Sequence, residues 1–179
     1  MGEGSHHNSS VCRSRLPFRA VNRRGSPQYD PALQRHHLLP RQLTGRRCFG
    51  SLFAELGPHR IGFDDFRRNG LLLPAREEAV QRLGLPMHRG PHRDYDGMVI
   101  ARVGRIESIW SRHRMADTES AARTALMRLD LLQRALRRRL LDERQPFMLN
   151  RNDPLGSSVD FSDLDAMAEV LWGATAEAA

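Results

Sequence analysis

Apolar side chains recur at helical spacing in two long stretches of the second half of the chain. In residues 91–113 they follow the i, i+3, i+4 rule, and Pro91 suits a first helical turn because its missing N–H is not needed there. In residues 118–143 leucines form a second apolar stripe. These positions are Tyr95, Met98, Val99, Val103, Ile106 and Trp110 in the first stretch, and Leu126, Leu129, Leu132, Leu136 and Leu140 in the second. The pattern predicts two long amphipathic helices.

The first half of the chain predicts shorter elements. Residues 33–39 are extended up to Pro40, and a short helix with Thr44 as its N-cap ends at Gly57. Asn69-Gly70 is a turn signal, residues 71–73 form a buried strand that ends at Pro74, and residues 75–83 form a short helix. We therefore expect an α+β fold, with short β elements in residues 33–74 followed by helices.

The two ends of the chain differ from this middle part. Residues 1–30 lack periodicity and are rich in Ser, Arg, Asn, Gly and Pro, which predicts a flexible basic arm. Ser162 and Asp165 resemble a capping box, which predicts a last helix through Trp172.

Charge is distributed unevenly along the 179 residues. All 28 basic residues are arginines, the net charge is +7, and the positive excess lies in residues 1–47. Residues 152–179 contain acidic residues and no arginine. This imbalance predicts a polyanionic partner, most simply nucleic acid, and a solvated, disordered arm is the alternative.

Several classes of protein are excluded by what the sequence lacks. No apolar run approaches the roughly 18–20 residues of a membrane helix, and residues 1–10 do not resemble a signal peptide. Cys12 and Cys48 form no CxxC pair, which excludes a cysteine-based zinc site and a cysteine redox motif. We expect a cytoplasmic protein with no membrane partner, and the sequence leaves its oligomeric state open.

Four histidines form two close pairs, His36-His37 and His88-x-x-x-His92. Imidazole is the commonest metal ligand near neutral pH, and a histidine beside a metal could act as a general base. Neither pair is distinctive alone, and His36-His37 by itself is better explained by core or surface histidines. A zinc protease helix is excluded, since Arg89 replaces the required Glu and Gly90-Pro91 interrupts the helix.

Together these segments resemble the AHH family of the HNH/endonuclease VII nuclease superfamily, which has the His-Me finger or ββα-metal fold. The resemblance spans residues 33–112 and is carried by Arg35-His36-His37-Leu38-Leu39-Pro40, Gly62-Phe63-Asp64, Asn69-Gly70-Leu71-Leu72-Leu73-Pro74 and the run from His88 to Tyr95. Arg35 stands where the name-giving alanine would lie. The resemblance implies a nuclease core (31–115), and the sequence on either side of it predicts a flexible basic arm (1–30) and a helical extension (116–179).

The resemblance also implies a role for each residue of the motifs. His36, His88 and His92 would bind one divalent metal ion, Mg²⁺ or Zn²⁺, and His37 would be the general base that activates water. Asn69 would tether the two strands and help to orient His37, and Arg89 and Arg93 are our candidates for binding substrate phosphate.

The expected function is a metal-dependent endonuclease that hydrolyses phosphodiester bonds in nucleic acid. We expect the substrate to be DNA, and the sequence itself does not decide between DNA and RNA. Two alternatives stay open at this point. One is a non-catalytic nucleic-acid-binding or interaction module that keeps the fold, and the other is the nuclease component of a toxin system.

Overall fold

The computed structural model of the chain describes residues 14–142, 144, 147–149, 166 and 170. The last helix predicted from Ser162 therefore lies outside the described residues, apart from two isolated helical positions, Ala166 and Val170.

The described elements are two strands and six helices, joined by short loops and 3₁₀ turns. They are β1 (Leu33–His37), α1 (Gly50–Leu56), α2 (Pro58–Ile61), α3 (Phe66–Asn69), β2 (Gly70–Pro74), α4 (Glu77–Leu83), α5 (Arg93–His113) and α6 (Thr118–Leu140). Helices combined with one small sheet confirm the predicted α+β class.

The strands pair antiparallel, with Leu33 opposite Pro74 and His37 opposite Gly70. They are not a tight hairpin, because α1, α2 and α3 lie between them in the chain. Asn69 is the last residue of α3 instead of a hairpin-turn residue, and Gly70 has an extended φ of −114°. Asp65 caps α3 by accepting a hydrogen bond from the Arg67 N–H.

Three helices begin later than the sequence predicts, and the smallest difference is at α4, which begins at Glu77 instead of residue 75. Thr44 lies in the 3₁₀ turn Arg41–Gly45, where its hydroxyl donates to the Arg41 carbonyl, so α1 begins only at Gly50. Helix α5 begins after His92, because Gly90 has a φ of +83° that interrupts the helix beyond Pro91. The predicted ends hold: Gly57 ends α1 and left-handed Gly84 ends α4.

Helices α5 and α6 pack side by side, and α6 also covers α1, α2 and α3. One hydrophobic cluster runs from Leu38 beside the sheet through Tyr95 and Trp110 of α5 to Leu136 of α6. The predicted nuclease core and the described part of the predicted helical extension therefore share one core.

Residues 16–18, within the segment that the sequence assigns to a flexible arm, contact β1 and α3. Pro17 forms an isolated bridge with Asp65, and the Phe66 N–H donates to the Leu16 carbonyl at 2.7 Å. The Phe18 ring is buried. Local composition did not indicate these contacts, because their partners are distant in the sequence.

Candidate metal centre and adjacent basic cleft

Three imidazoles converge beside the sheet. His36 occupies the buried face of β1, His88 follows α4 and donates its backbone N–H to Pro74 at 2.6 Å, and His92 is the N-cap of α5. The ring centroids are 5.0 Å apart for His36 and His88, 5.7 Å for His36 and His92, and 4.5 Å for His88 and His92. One ring nitrogen from each lies within 4.8 Å of the others. The sheet and the helix entry thus bring together the three predicted metal ligands.

Hydrogen bonds fix how two of these rings face the cluster. The Nδ1 of His88 lies 3.1 Å from the Gln34 side-chain oxygen, and the Nδ1 of His92 lies 3.3 Å from the Leu149 carbonyl oxygen. Each bond leaves Nε2 available, as is usual for metal-binding histidines with an outer hydrogen-bond partner. The buried Nε2 of His36 has no hydrogen-bond partner in the described part of the chain. A buried imidazole nitrogen without a partner, facing two others, fits a metal ion.

Two of the three imidazoles, those of His36 and His88, are held in their neutral, metal-binding form. Burial lowers the pKa of His36 well below its usual value, and repulsion from His88 and His92 lowers it further. Burial, with a contribution from His92, lowers the pKa of His88 to about 4. Because a neutral imidazole presents a lone pair, His36 and His88 do not need to lose protons to bind a cation at neutral pH.

His37 points away from this cluster into a cleft. Successive side chains of a strand alternate between its faces, so His37 lies opposite His36 and is half-buried. Its ring stacks on Phe18, with centroids 3.8 Å apart and planes within 2° of parallel. His37 still contributes to lowering the pKa of His88, so it lies within electrostatic range of the cluster.

The cleft beside His37 is basic. It has a volume of about 540 Å³ and is lined by Arg19, Arg35 and Arg41, with Asp64 at its edge. Burial, Arg41 and Arg35 lower the pKa of His37 to about 4, and Asp64 opposes them. The imidazole is therefore neutral at physiological pH, which is the form that accepts a proton.

Asn69 ties the end of β1 to the rest of the site. Its side-chain oxygen accepts the Leu39 N–H at 2.7 Å, and its amide donates to the carbonyls of Leu39 at 3.2 Å and Phe63 at 3.1 Å. Its backbone carbonyl accepts the Leu38 N–H at 2.8 Å, and Gln133 of α6 donates to its side chain at 3.3 Å. Asn69 is wholly buried and fixes the two residues that follow His37.

Tyr95, whose role the sequence leaves open, supports the same strand from α5. Its hydroxyl donates to the Leu38 carbonyl at 2.8 Å, and its ring meets His36 edge-on with centroids 5.0 Å apart. Burial raises its pKa well above the usual value, so it is a neutral hydrogen-bond donor.

The arginines divide into two groups around the site. Arg89 and Arg93, the predicted phosphate ligands, are exposed beside His88 and His92 but do not line the His37 cleft. Four residues of the cleft were not predicted as site residues from the sequence, namely Phe18, Arg19, Arg35 and Arg41. Only the last two gave a usable signal, since they flank the His36-His37 pair along the chain.

An antiparallel strand pair followed by a helix, with histidines converging from the first strand and the helix entry, defines the ββα-metal class of site. The chain belongs to the AHH family, a nuclease family of the HNH/ENDO VII superfamily with conserved AHH, whose family model matches residues 18–136. The match confirms the resemblance and extends it on both sides of residues 33–112. Comparisons with curated proteins and with solved structures gave no match.

Within the described residues, no helix is both long enough and apolar enough to cross a membrane. Cytoplasmic localisation stays a prediction of the sequence.

Proposed function

We propose that this protein is a metal-dependent endonuclease that cleaves phosphodiester bonds in nucleic acid, with DNA as the preferred substrate. The observation that carries the proposal is the convergence of His36, His88 and His92, in which the buried Nε2 of His36 has no hydrogen-bond partner among the described residues. The next residue, His37, is a neutral histidine in a basic cleft. Membership of a nuclease family agrees with this chemistry.

His36, His88 and His92 would hold one divalent ion. The bound ion supplies Lewis-acid stabilisation of the charge that develops on phosphate oxygens. Three imidazoles without a carboxylate favour borderline ions such as Zn²⁺ over Mg²⁺, which prefers oxygen ligands. We therefore place Zn²⁺ first, and Mg²⁺ is the ion against which to compare it.

His37 is the proposed general base. Its neutral ring can accept a proton from the attacking water, and the stacked Phe18 ring limits its rotation. Asn69 holds the chain directly after it and is a positioning residue. Arg35 and Arg41 lie where they could contact phosphate oxygens, while Arg89 and Arg93 would meet the substrate on the side of the metal ligands.

The test is incubation of purified protein with supercoiled plasmid, in Zn²⁺, Mg²⁺ or EDTA, and in parallel with RNA. We expect nicking that requires the metal and falls by about 10²-fold or more in His37→Ala. The matched control is His113→Ala, which removes an exposed histidine at the other end of α5 and should cut normally.

Binding of DNA without cutting of DNA or RNA in either metal would overturn the proposal. That result would support the non-catalytic binding module instead.

A further inference from the structure

A second cavity adjoins the cleft at His37. Its volume is about 550 Å³, and it shares Arg19 and Arg35 with the first cleft. Arg23, Arg24 and Tyr29 line its far side. The two neighbouring cavities are together called the arginine trough, whose lining extends from His37 past Arg35 of β1 to Arg23 and Arg24.

The loop that carries the far side of this trough is held in place. Asn22 has a positive φ of 45°, and its side-chain amide donates to the carbonyls of Asp30 at 2.9 Å and Leu33 at 2.8 Å. Its side-chain oxygen accepts the Asp30 N–H at 2.8 Å. These bonds close residues 22–30 into a compact loop against the start of β1, so Arg23 and Arg24 project from a fixed backbone.

The trough carries uncompensated positive charge. Arg19, Arg23, Arg24, Arg35 and Arg41 are exposed, and none of them forms an ion pair with a carboxylate among the described residues. The two nearby acids are already paired, Asp30 with Arg82 at 2.9 Å and Asp64 with Arg15 at 2.6 Å. Arg35, the departure from the family's alanine, donates to the Phe18 carbonyl at 2.7 Å and joins the two halves of the trough.

We propose that the arginine trough binds one strand of the substrate over at least two successive phosphates on one side of the bond to be cut, with the ring of Tyr29 stacking against a base. Tyr29 is 37% exposed, and basic grooves with an aromatic side chain are typical of sequence-tolerant binding to a nucleic-acid strand. This inference rests on the proposed function, since it assigns the path of that substrate. It makes residues 18–35 part of the substrate site.

The test separates binding along the strand from the chemistry at the metal. The variant Arg23→Ala/Arg24→Ala leaves His37 and the metal ligands untouched. Two substrates are compared. One is a DNA oligonucleotide, as single strand and as duplex. The other is bis(4-nitrophenyl) phosphate, whose one phosphodiester can lie at His37 but cannot also extend to Arg23 and Arg24. Binding of the oligonucleotide is measured separately by fluorescence anisotropy in the His37→Ala background over a range of salt concentrations.

We expect the double variant to bind and cut the oligonucleotide at least about tenfold less well, with a salt dependence about two counterions smaller, while hydrolysis of the small diester is unchanged. Tyr29→Ala should weaken binding and Tyr29→Phe should not. The matched control is Arg112→Ala/Arg138→Ala, which removes the same charge from exposed positions of α5 and α6.

An equal loss of oligonucleotide binding in the trough and control variants would overturn the proposal that the arginine trough binds the substrate strand. Failure of the wild type to hydrolyse either substrate in any metal would instead overturn the proposed function. The anisotropy comparison would then still show whether the arginine trough binds the oligonucleotide.

Discussion

The orientation of the His37 imidazole ring decides whether this residue can accept a proton from the attacking water. Its parallel contact with Phe18 at 3.8 Å is the closest ring contact described here, and the Phe18 ring is itself fixed edge-on by Phe66 at 5.1 Å. Removing the aromatic face leaves His37 free to rotate within the cleft. The loss should therefore appear in turnover before it appears in folding.

We predict that Phe18→Leu lowers kcat by about tenfold, because a catalytic group misplaced by about 1 Å loses much of its rate. Phe18→Tyr retains the ring and should restore most of the activity, which a merely space-filling role would not require. The measurement is steady-state cleavage of a labelled oligonucleotide. The control is Phe49→Leu, which replaces a buried aromatic ring at the start of α1 with the same smaller side chain. A kcat of Phe49→Leu as low as that of Phe18→Leu would contradict the positioning role of Phe18.

Loss of the Asn69 side chain should lower the stability of the fold as well as the activity. Replacing it with alanine leaves the Leu39 N–H and the Leu39 and Phe63 carbonyls without their partner in a buried place. Each buried polar group left unpaired costs about 1–3 kcal/mol. We expect Asn69→Ala to lower the free energy of unfolding by about 3 kcal/mol or more, measured by urea denaturation.

Asn69→Asp is the sharper comparison for this residue. It keeps the shape and the acceptor but cannot donate to the two carbonyls, so it should be destabilised too. A wild-type unfolding midpoint in Asn69→Asp would show that the donated bonds are unimportant.

At the scale of elements, the junction between α3 and β2 sets the register that places His37. Gly70 pairs with His37 and has an ordinary extended φ, but a Cβ there would lie 2.2 Å from the Phe66 ring. That ring packs against Phe18, so it cannot move without disturbing the stack on His37. Glycine is required at this position because a side chain would not fit beside the Phe66 ring, and not because the backbone is strained.

We expect Gly70→Ala to destabilise the fold by about 1–3 kcal/mol and to lower activity, as overpacking does in other cores. The matched control is Gly104→Ala in α5, where a Cβ meets nothing within 4 Å. Because alanine is a better helix former than glycine, this control should raise stability by roughly 0.5–1 kcal/mol. Equal thermal unfolding of the two variants would contradict the assigned clash.

For the whole molecule, metal binding couples elements that are far apart in the sequence. His36 comes from β1 and His88 and His92 from the entry of α5, so an ion that binds all three stabilises the folded state. At a free concentration of 100 times its Kd, it adds about 2.7 kcal/mol. For a chain of this size that should raise Tm by roughly 5–10 °C.

Differential scanning fluorimetry with Zn²⁺ and then EDTA measures this shift. His37→Ala should retain the shift because it removes the proposed base and leaves the ligands, whereas His36→Ala should lose it. A shift that persists in His36→Ala would place the ion elsewhere.

Much of the fold is encoded in local pattern. The apolar spacing in residues 91–113 and 118–143 predicted α5 and α6, and the two short apolar segments predicted β1 and β2, because helical and strand periods are read within a few residues. The motif order around His36-His37 and His88-His92 predicted the family, which the comparison confirms. The proposed roles of the site residues stay predictions.

The tertiary structure alone decided how these pieces serve one site. Whether His36 is a core residue or a metal ligand depends on His88 and His92, which share no local pattern with it. The stack of Phe18 on His37 and the loop closed by Asn22 lie in a segment whose composition predicts disorder. Composition and periodicity record what a segment can form alone, while burial, pKa and stacking arise from contacts between distant segments, and only the folded chain specifies those.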